Sequence, residues 1–234
     1  MTETLYQHGT LALLVPGLLK GTITMKELLE HGDTGIGTGE GLDGELIILK
    51  GQPYQVDSKG NINEVSSDFV MPFADIHQAN YKALTTYQNI KQADLYADLA
   101  KKISAANVFY STLIHGSFKS MHTRAVAKSK EPYPTLAATA DAQSLFNAEN
   151  VTGTLLSYFS PELFHGAAVA GFHSHFLADD HSIGGHVLDF ELTDGKASCQ
   201  IFDTLEQHFP VDNQAFMQHD FSKDDVAKDI NHSE

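Results

Sequence analysis

Histidine is the residue type whose spacing most strongly indicates chemistry in this sequence. The chain has 13 histidines against 15 lysines and arginines together, and several histidines fall within residues 171–190. His173 and His175 are two residues apart, so in a β-strand their side chains leave the same face. Imidazole suits zinc, copper, nickel and iron. Two histidines at this spacing alone are more typical of a solvated polar strand face, and a third histidine at a compatible position is needed to favour a metal site.

A third histidine follows on the strand that would return from this one. If the chain folds back near Asp180 and His181, then His175 and His186 become cross-strand neighbours, with β-carbons about 4.5–5.5 Å apart. Three converging imidazoles can hold three positions of a metal and leave the rest for water or substrate, as in catalytic zinc sites. A slip of one residue would send His186 to the opposite face. His181 falls at the turn tip and is predicted to be exposed to solvent.

Two charged residues outside this hairpin are candidates for contact with a substrate. Ser120, His122 and Arg124 alternate along a predicted strand and so share one face. A guanidinium can hold a carboxylate through two parallel hydrogen bonds, although an ordinary salt bridge is the alternative for Arg124. Glu45 opens an otherwise apolar strand. It is either an edge charge that blocks aggregation or an acid that reaches into a cavity.

The elements that must position these residues are mostly strands. A T-x-x-E capping box at Thr24 predicts a short helix to about Glu30, and apolar residues four apart predict a helix over 92–105. Strand patterns predict three antiparallel pairs: 45–49 with 52–56, 108–114 with 118–127, and 151–159 with 167–176. We therefore expect an α+β fold with mixed, largely antiparallel sheets, a few flanking helices and two closely packed sheet subdomains. Residues 1–234 contain no separable linker and are predicted to form a single domain.

Composition excludes several classes of function. The chain is 42% hydrophobic and carries a net charge of −15, so we expect a folded protein that repels nucleic acids and anionic membranes. The apolar run from Leu11 is interrupted by Pro16, and no lysine or arginine precedes it, which disfavours an export signal. The lone Cys199 favours a reducing compartment, so we expect a cytoplasmic location. The glycine-rich residues 35–39 lack the Lys-Ser/Thr of a phosphate-binding loop.

Taken together, five motifs resemble the bacterial alpha-acetolactate decarboxylases in order and approximate spacing. They are residues 35–38 (GIGT), 42–46 (LDGEL), 123–124 (TR), 171–176 (GFHSHF) and 184–189 (GGHVLD). The resemblance extends from about Leu5 to the last residue. It implies a zinc ion held by His173, His175 and His186, with Arg124 and Glu45 at the substrate. The family also places a glutamate of the C-terminal tail at the metal centre, and Glu234, the terminal residue, is the matching position.

The same resemblance implies an activity. It implies zinc-dependent decarboxylation of 2-acetolactate to acetoin and carbon dioxide through a metal-stabilised enediolate, with stereoselective protonation, in acetoin and butanediol fermentation. No organic cofactor is required, and relatives suggest a homodimer. Two alternatives remain. A metal-dependent aldolase or isomerase would use the same enediolate chemistry, and a noncatalytic protein would bind a metal or a small acid without turnover.

Overall fold

The computed structural model describes residues 2–233, in which strands predominate over helices. The strands are β1 (Thr4–His8), β2 (Ile23–Thr24), β3 (Thr34–Thr38), β4 (Glu45–Leu49), β5 (Gln52–Val56), β6 (Ile62–Glu64), β7 (Val70–Met71), β8 (Phe73–His77), β9 (Lys82–Lys91), β10 (Tyr110–Ala125), β11 (Ser144–Ser160), β12 (Gly171–Ala178), β13 (Gly184–Ile201) and β14 (Thr204–His208). The α-helices are α1 (Leu11–Leu14), α2 (Met25–Leu28), α3 (Gln92–Ile103), α4 (Leu136–Ala140), α5 (Gln214–Gln218) and α6 (Val226–Ser233). The predicted α+β class is confirmed.

The first sheet has seven strands in the order β14-β1-β8-β3-β4-β5-β6. Only the β1–β14 pair is parallel. The predicted hairpin of β4 and β5 is confirmed, with Leu49 paired to Gln52 across the turn. The predicted capping box is also present, because Thr24 and Glu27 bond reciprocally at the start of α2.

The second sheet contains the five strands β10-β11-β12-β13-β9, and β10 also pairs with β13. The four strands β10, β11, β12 and β13 therefore form a closed ring, in which each strand pairs with two of the others. The predicted hairpin at 115–117 is wrong, because β10 runs without a turn through this segment. Gly116 permits a close approach of strands here: a β-carbon at this position would lie 2.5 Å from Cα of Gly195 on β13. This glycine marks a crowded strand crossing, not a turn.

The third predicted pair of strands is confirmed with different limits. β11 and β12 are antiparallel neighbours from Gly153 paired with Ala178 to Ser160 paired with Gly171. β12 begins later than predicted, and β11 begins earlier, at Ser144. The helix predicted over 92–105 is α3, which ends at Ile103.

Apolar side chains fill the space between the two sheets. Leu5, Ile36 and Ile47 of the first sheet belong to one buried cluster with Leu156 and Leu177 of the second. A separate cluster inside the second sheet is closed by the apolar face of α3. A third buried cluster consists of apolar side chains from α1, α4, α6 and the loop before β4, among others. Within residues 2–233, no helix has the length and apolar character needed to cross a membrane.

Candidate metal centre and active site

The histidine hairpin has the register that the sequence predicts. His175 of β12 pairs directly with His186 of β13, and His173 lies two residues away on the same strand. On its other edge β13 pairs with β10, where Arg124 lies opposite His186. Because directly opposed residues in antiparallel strands point to the same side, Arg124, His186 and His175 form one row across three strands.

The three imidazoles converge on one point. One ring nitrogen from each of His173, His175 and His186 lies within 4.8 Å of the other two. Nε2 of His173 and Nδ1 of His186 are 3.1 Å apart. The ring centroids are separated by 4.9–5.6 Å. This spacing allows one small cation to contact all three residues, at the Zn–N distance of about 2.0–2.1 Å after a small adjustment.

One hydrogen bond fixes how His175 faces this point. Its Nδ1 lies 2.6 Å from the carbonyl oxygen of Leu46 on β4. Since a carbonyl can only accept, Nδ1 carries the proton of the neutral ring and Nε2 presents a lone pair. Nε2 is buried and has no hydrogen-bond partner among the described residues, yet it lies 3.4 Å from Oε2 of Glu45. Two facing acceptors are best satisfied by a cation between or beside them, so the donor set fits a metal ion.

The electrostatics of the site keep the imidazoles neutral. Burial, followed by the charge of Arg124, lowers the pKa of His173 to about 3. Burial also holds the pKa of His175 and of His186 well below the usual range, reinforced by neighbouring histidines and Arg124. At neutral pH each ring therefore offers a lone pair, which is the form that ligates a metal.

Gly185, next to His186, allows β10 and therefore Arg124 to lie close to the histidines. Gly185 has φ of +122°, and a β-carbon there would lie 2.5 Å from the carbonyl oxygen of Arg124. A larger residue would push β10 away from β13. The Arg124 side chain is buried, and its Nη1 donates to Oε1 of Gln143 at 3.1 Å. The guanidinium is thus held beside His186 by a contact that the sequence did not reveal.

The surroundings of the triad form a small cavity of about 50 Å³. Its polar residues are the three histidines, Glu45, Arg124 and Thr38, whose hydroxyl donates to the carbonyl oxygen of Gly44 at 2.8 Å. The remaining wall is apolar and consists mainly of Leu11, Leu14, Leu42, Phe73, Val126 and Leu136. We call this space the triad cavity. A largely apolar enclosure with a few convergent polar groups is typical of small-molecule sites.

The predicted site residues therefore have different outcomes. His173, His175, His186, Arg124 and Glu45 line the triad cavity. Glu45 reaches into this cavity and does not guard an edge, because β4 lies between β3 and β5. Ser120 and His122, which alternation grouped with Arg124, do not line the triad cavity, and His181 is exposed as predicted. Glu234 lies outside the described residues, so its predicted place at the metal centre stays a prediction.

Three contributors to the site were missed in the sequence. Leu46 acts through its backbone carbonyl, which no side-chain pattern reveals. Gln143 lies between α4 and β11, far from the histidine hairpin in sequence. Thr38 ends the glycine-rich strand β3 and pairs with Glu45 of β4. Its place in the site could have been inferred from this pairing, had β3 and β4 been recognised as neighbours.

Comparisons with known proteins identify the family to which the chain is similar. The family model for alpha-acetolactate decarboxylase matches residues 5–223. The alpha-acetolactate decarboxylase of Streptococcus thermophilus is 38% identical over 98% of both chains, and that of Lactococcus lactis subsp. lactis is 37% identical over 100% of both.

Two crystal structures share the whole fold. A Staphylococcus aureus protein described as similar to alpha-acetolactate decarboxylase superposes with a TM-score of 0.93 at 41% identity, covering 99% of this chain and 100% of that chain. Alpha-acetolactate decarboxylase from Bacillus subtilis strain 168 also gives a TM-score of 0.93, at 30% identity over 99% of both chains. The chain therefore belongs to the alpha-acetolactate decarboxylase family.

Proposed function

We propose that this protein is a metal-dependent carboxy-lyase that converts 2-acetolactate to acetoin and carbon dioxide. The observation that carries the proposal is the convergence of three neutral imidazoles, one carboxyl group and one guanidinium on a single cavity. Family membership supports the same reaction, since the named relatives are alpha-acetolactate decarboxylases.

We propose zinc as the ion and His173, His175 and His186 as its protein ligands. Three imidazole ligands with further positions open are typical of catalytic zinc sites. When bound, the ion supplies a Lewis acid that stabilises the negative charge developing on the ketone oxygen of the substrate. The hydrogen bond from His175 to Leu46 supports this assignment, because it orients the ring and fixes which nitrogen is available.

Arg124 has the chemistry to orient the substrate. In the reaction the bond between C2 and the carboxylate breaks, and its electron pair moves toward the ketone to give an enediolate. The guanidinium of Arg124 would hold the departing carboxylate through two hydrogen bonds, and afterwards would face the enediolate with positive charge. Its contact with Gln143 limits the orientations that the guanidinium can adopt.

Glu45 is the proposed proton donor. After carbon dioxide leaves, the carbon that carried it must receive one proton. The Glu45 side chain is 12% exposed and faces the triad cavity beside His175, so once its carboxylate has taken up a proton from water it can deliver that proton from one side only. Delivery from one side would give acetoin of a single hand. Glu234 is proposed as a second carboxyl group at the centre, on the family resemblance alone.

Two broader properties follow as proposals. The long exposed edge of β9 supports a homodimer, because an unpaired strand edge can pair with a second copy. Light scattering would then give twice the 25.6 kDa of one chain. We propose a cytoplasmic location, because the lone Cys199 is buried and forms no disulfide within residues 2–233.

The test of the proposed function is a product analysis with racemic 2-acetolactate. The purified protein should release one carbon dioxide per acetoin formed, should contain one zinc per chain, and should lose both zinc and activity on chelation. Cleavage without carbon dioxide would favour an aldolase or isomerase. Ligand binding without any turnover would identify a noncatalytic binding protein, and either result would contradict the proposal.

A further inference from the structure

A second cavity shares His186 with the triad cavity. It has a volume of about 280 Å³, and we call it the side cavity. The triad cavity has only about 50 Å³, which is room for a few water molecules, since one water needs on the order of 10–15 Å³ of free space. A hydroxy keto acid of nine non-hydrogen atoms therefore needs an adjoining space through which to enter. The lining of the side cavity includes Gln92, Tyr96, Ala170, Ser174, His186 and Leu188.

The side cavity arises from the way two strands diverge. β12 and β13 share only three residue pairs, which end at His175 and His186. The same edge of β13 is paired again only from Glu191, where β9 begins to lie beside it. Residues 187–190 of β13 thus border a gap instead of a neighbouring strand. The gap opens directly beside the last histidine pair, and His186 lines both cavities. Ser174 lines the side cavity whereas His173 and His175 line the triad cavity, so the two cavities lie on opposite faces of β12.

The start of α3 lines this gap with polar groups. The amide nitrogen of Gln92, turned toward β13, donates to the carbonyl oxygen of Leu188 and to Oδ1 of Asp189, each at 3.1 Å. One turn later, the hydroxyl of Tyr96 lies 2.6 Å from Oγ of Ser174. These bonds hold the polar wall in place at the mouth of the gap.

The other boundary of the triad cavity has the opposite character. Leu11, Leu42, Phe73 and Leu136 are all buried there and belong to one apolar cluster. A charged acid that crossed this wall would lose its hydration without compensating hydrogen bonds. The gap between β12 and β13 instead presents the Gln92 amide and the Tyr96 and Ser174 hydroxyls to the same acid, beside the apolar Val169, Phe172 and Val187. The contrast between the two walls therefore selects one side for entry.

We propose that the side cavity is the entrance through which a small 2-hydroxy-3-keto acid reaches the histidine triad, passing between β12 and β13. The identity of the substrate rests on the proposed function, whereas the route rests on the strand register and the lining of the gap. Ala170, just before β12, lines this entrance and is not one of the proposed metal-binding or catalytic residues.

A thiol placed at Ala170 allows the entrance to be blocked after folding. The variant Ala170→Cys would be loaded with cobalt and then treated with a methyl or a benzyl methanethiosulfonate. The native Cys199 is buried, and burial raises its pKa to about 11, so it has little reactive thiolate at pH 7.5. The matched control is Ala215→Cys, which lines a larger cavity of about 540 Å³ that contains none of the triad histidines.

The primary readout does not require turnover. It is the association rate of 2-hydroxy-2-methylpropanoate, followed by the visible absorption of the bound cobalt. We expect the benzyl adduct at position 170 to slow association at least tenfold, the methyl adduct to slow it less, and both adducts at position 215 to change it less than twofold. kcat/KM for 2-acetolactate should fall in parallel.

A benzyl adduct at position 170 that leaves the association rate within twofold would overturn the proposed entrance. If the thiol resists modification, Ala170→Trp provides the same comparison, with a thermal unfolding curve to confirm that the variant is folded. Failure of the proposed function would be distinguishable, because the blocked protein would then still show slowed association while no form of the protein released carbon dioxide.

Discussion

Nε2 of His175 and Oε2 of Glu45 face each other at 3.4 Å across the triad cavity. The bond from Nδ1 of His175 to Leu46 leaves a lone pair on Nε2, and the Glu45 carboxyl group can only accept while it is ionised, before it takes up the proton that it delivers. The pKa of His175 is held well below its usual range by burial, so the ring is not protonated at neutral pH to relieve this contact. The arrangement is best explained as one prepared for a cation, and it places Glu45 next to the reacting centre.

We predict that Glu45→Gln removes most of the activity while the fold is retained. The amide preserves the shape of the side chain but cannot deliver a proton, and loss of a general acid costs typically 10²–10⁴-fold in rate. kcat should fall by at least 100-fold, with acetoin formed in reduced enantiomeric excess. A variant with wild-type kcat and a single-handed product would remove Glu45 from the protonation step.

We predict that Arg124→Lys lowers kcat/KM by about 10- to 100-fold without loss of metal. Lysine keeps the positive charge but cannot form two parallel bonds to a carboxylate. Gln143→Leu provides a milder comparison, since it removes only the acceptor that holds Nη1. Steady-state kinetics and elemental analysis on the same preparations separate the two effects. A parallel loss of metal and activity would show that Arg124 supports the triad and not the substrate.

The fold could be predicted from the sequence wherever one segment carried its own signal. The Thr24 capping box and the β4–β5 hairpin are local patterns, and both are present. The register of His175 with His186 follows from a turn centred at Asp180 and His181, which lies equally far along the chain from both histidines. The face on which the hairpin histidines lie is thus predictable, because side-chain alternation and the position of the turn determine it.

Features that depend on distant strands were not predictable in this way. Gly116 looks like a turn residue, but its actual requirement is the approach of β13, about 80 residues away in sequence. The role of Glu45 stayed open for the same reason, because only the packing of the first sheet on the second brings it to His175. Backbone groups such as the Leu46 carbonyl carry no sequence signal at all.

We predict a pH-dependent gain in stability from Asp75→Asn. Asp75 is buried on β8, where burial raises its pKa to about 7 although Gln7 donates to it at 2.8 Å. A folded-state pKa above the unfolded value of about 3.9 means that this carboxyl favours folding at low pH and loses that contribution as the pH rises through 7.

The asparagine variant has no such charge to bury. At about 1.4 kcal/mol per pH unit between pH 5 and the folded-state pKa of about 7, its free energy of unfolding should gain about 2.5–3 kcal/mol relative to the original protein between pH 5 and pH 8. Urea unfolding at the two pH values measures this difference. An identical difference at both pH values would show that Asp75 does not titrate in this range.

We predict that Ile230→Ala destabilises the protein by about 2–5 kcal/mol, whereas Ile230→Val costs about 0.5–1.5 kcal/mol. Ile230 of α6 is fully buried in the cluster that includes Leu11, Leu14 and Leu136 of the triad-cavity wall. Truncation would leave a void against that wall. Thermal unfolding of the two variants checks the ranking, and equal stabilities would show that α6 unfolds independently of the rest.

The central claim is that the histidine hairpin binds the metal required for decarboxylation, and His175→Ala tests it most directly. His181→Ala on the turn of the same hairpin is the matched control, because His181 is exposed and lies outside the triad cavity. The measurement is zinc per chain together with carbon dioxide release from 2-acetolactate. We expect His175→Ala to lose both zinc and carbon dioxide release, and His181→Ala to keep both. A folded His175→Ala protein with full zinc content and full activity would contradict the central claim.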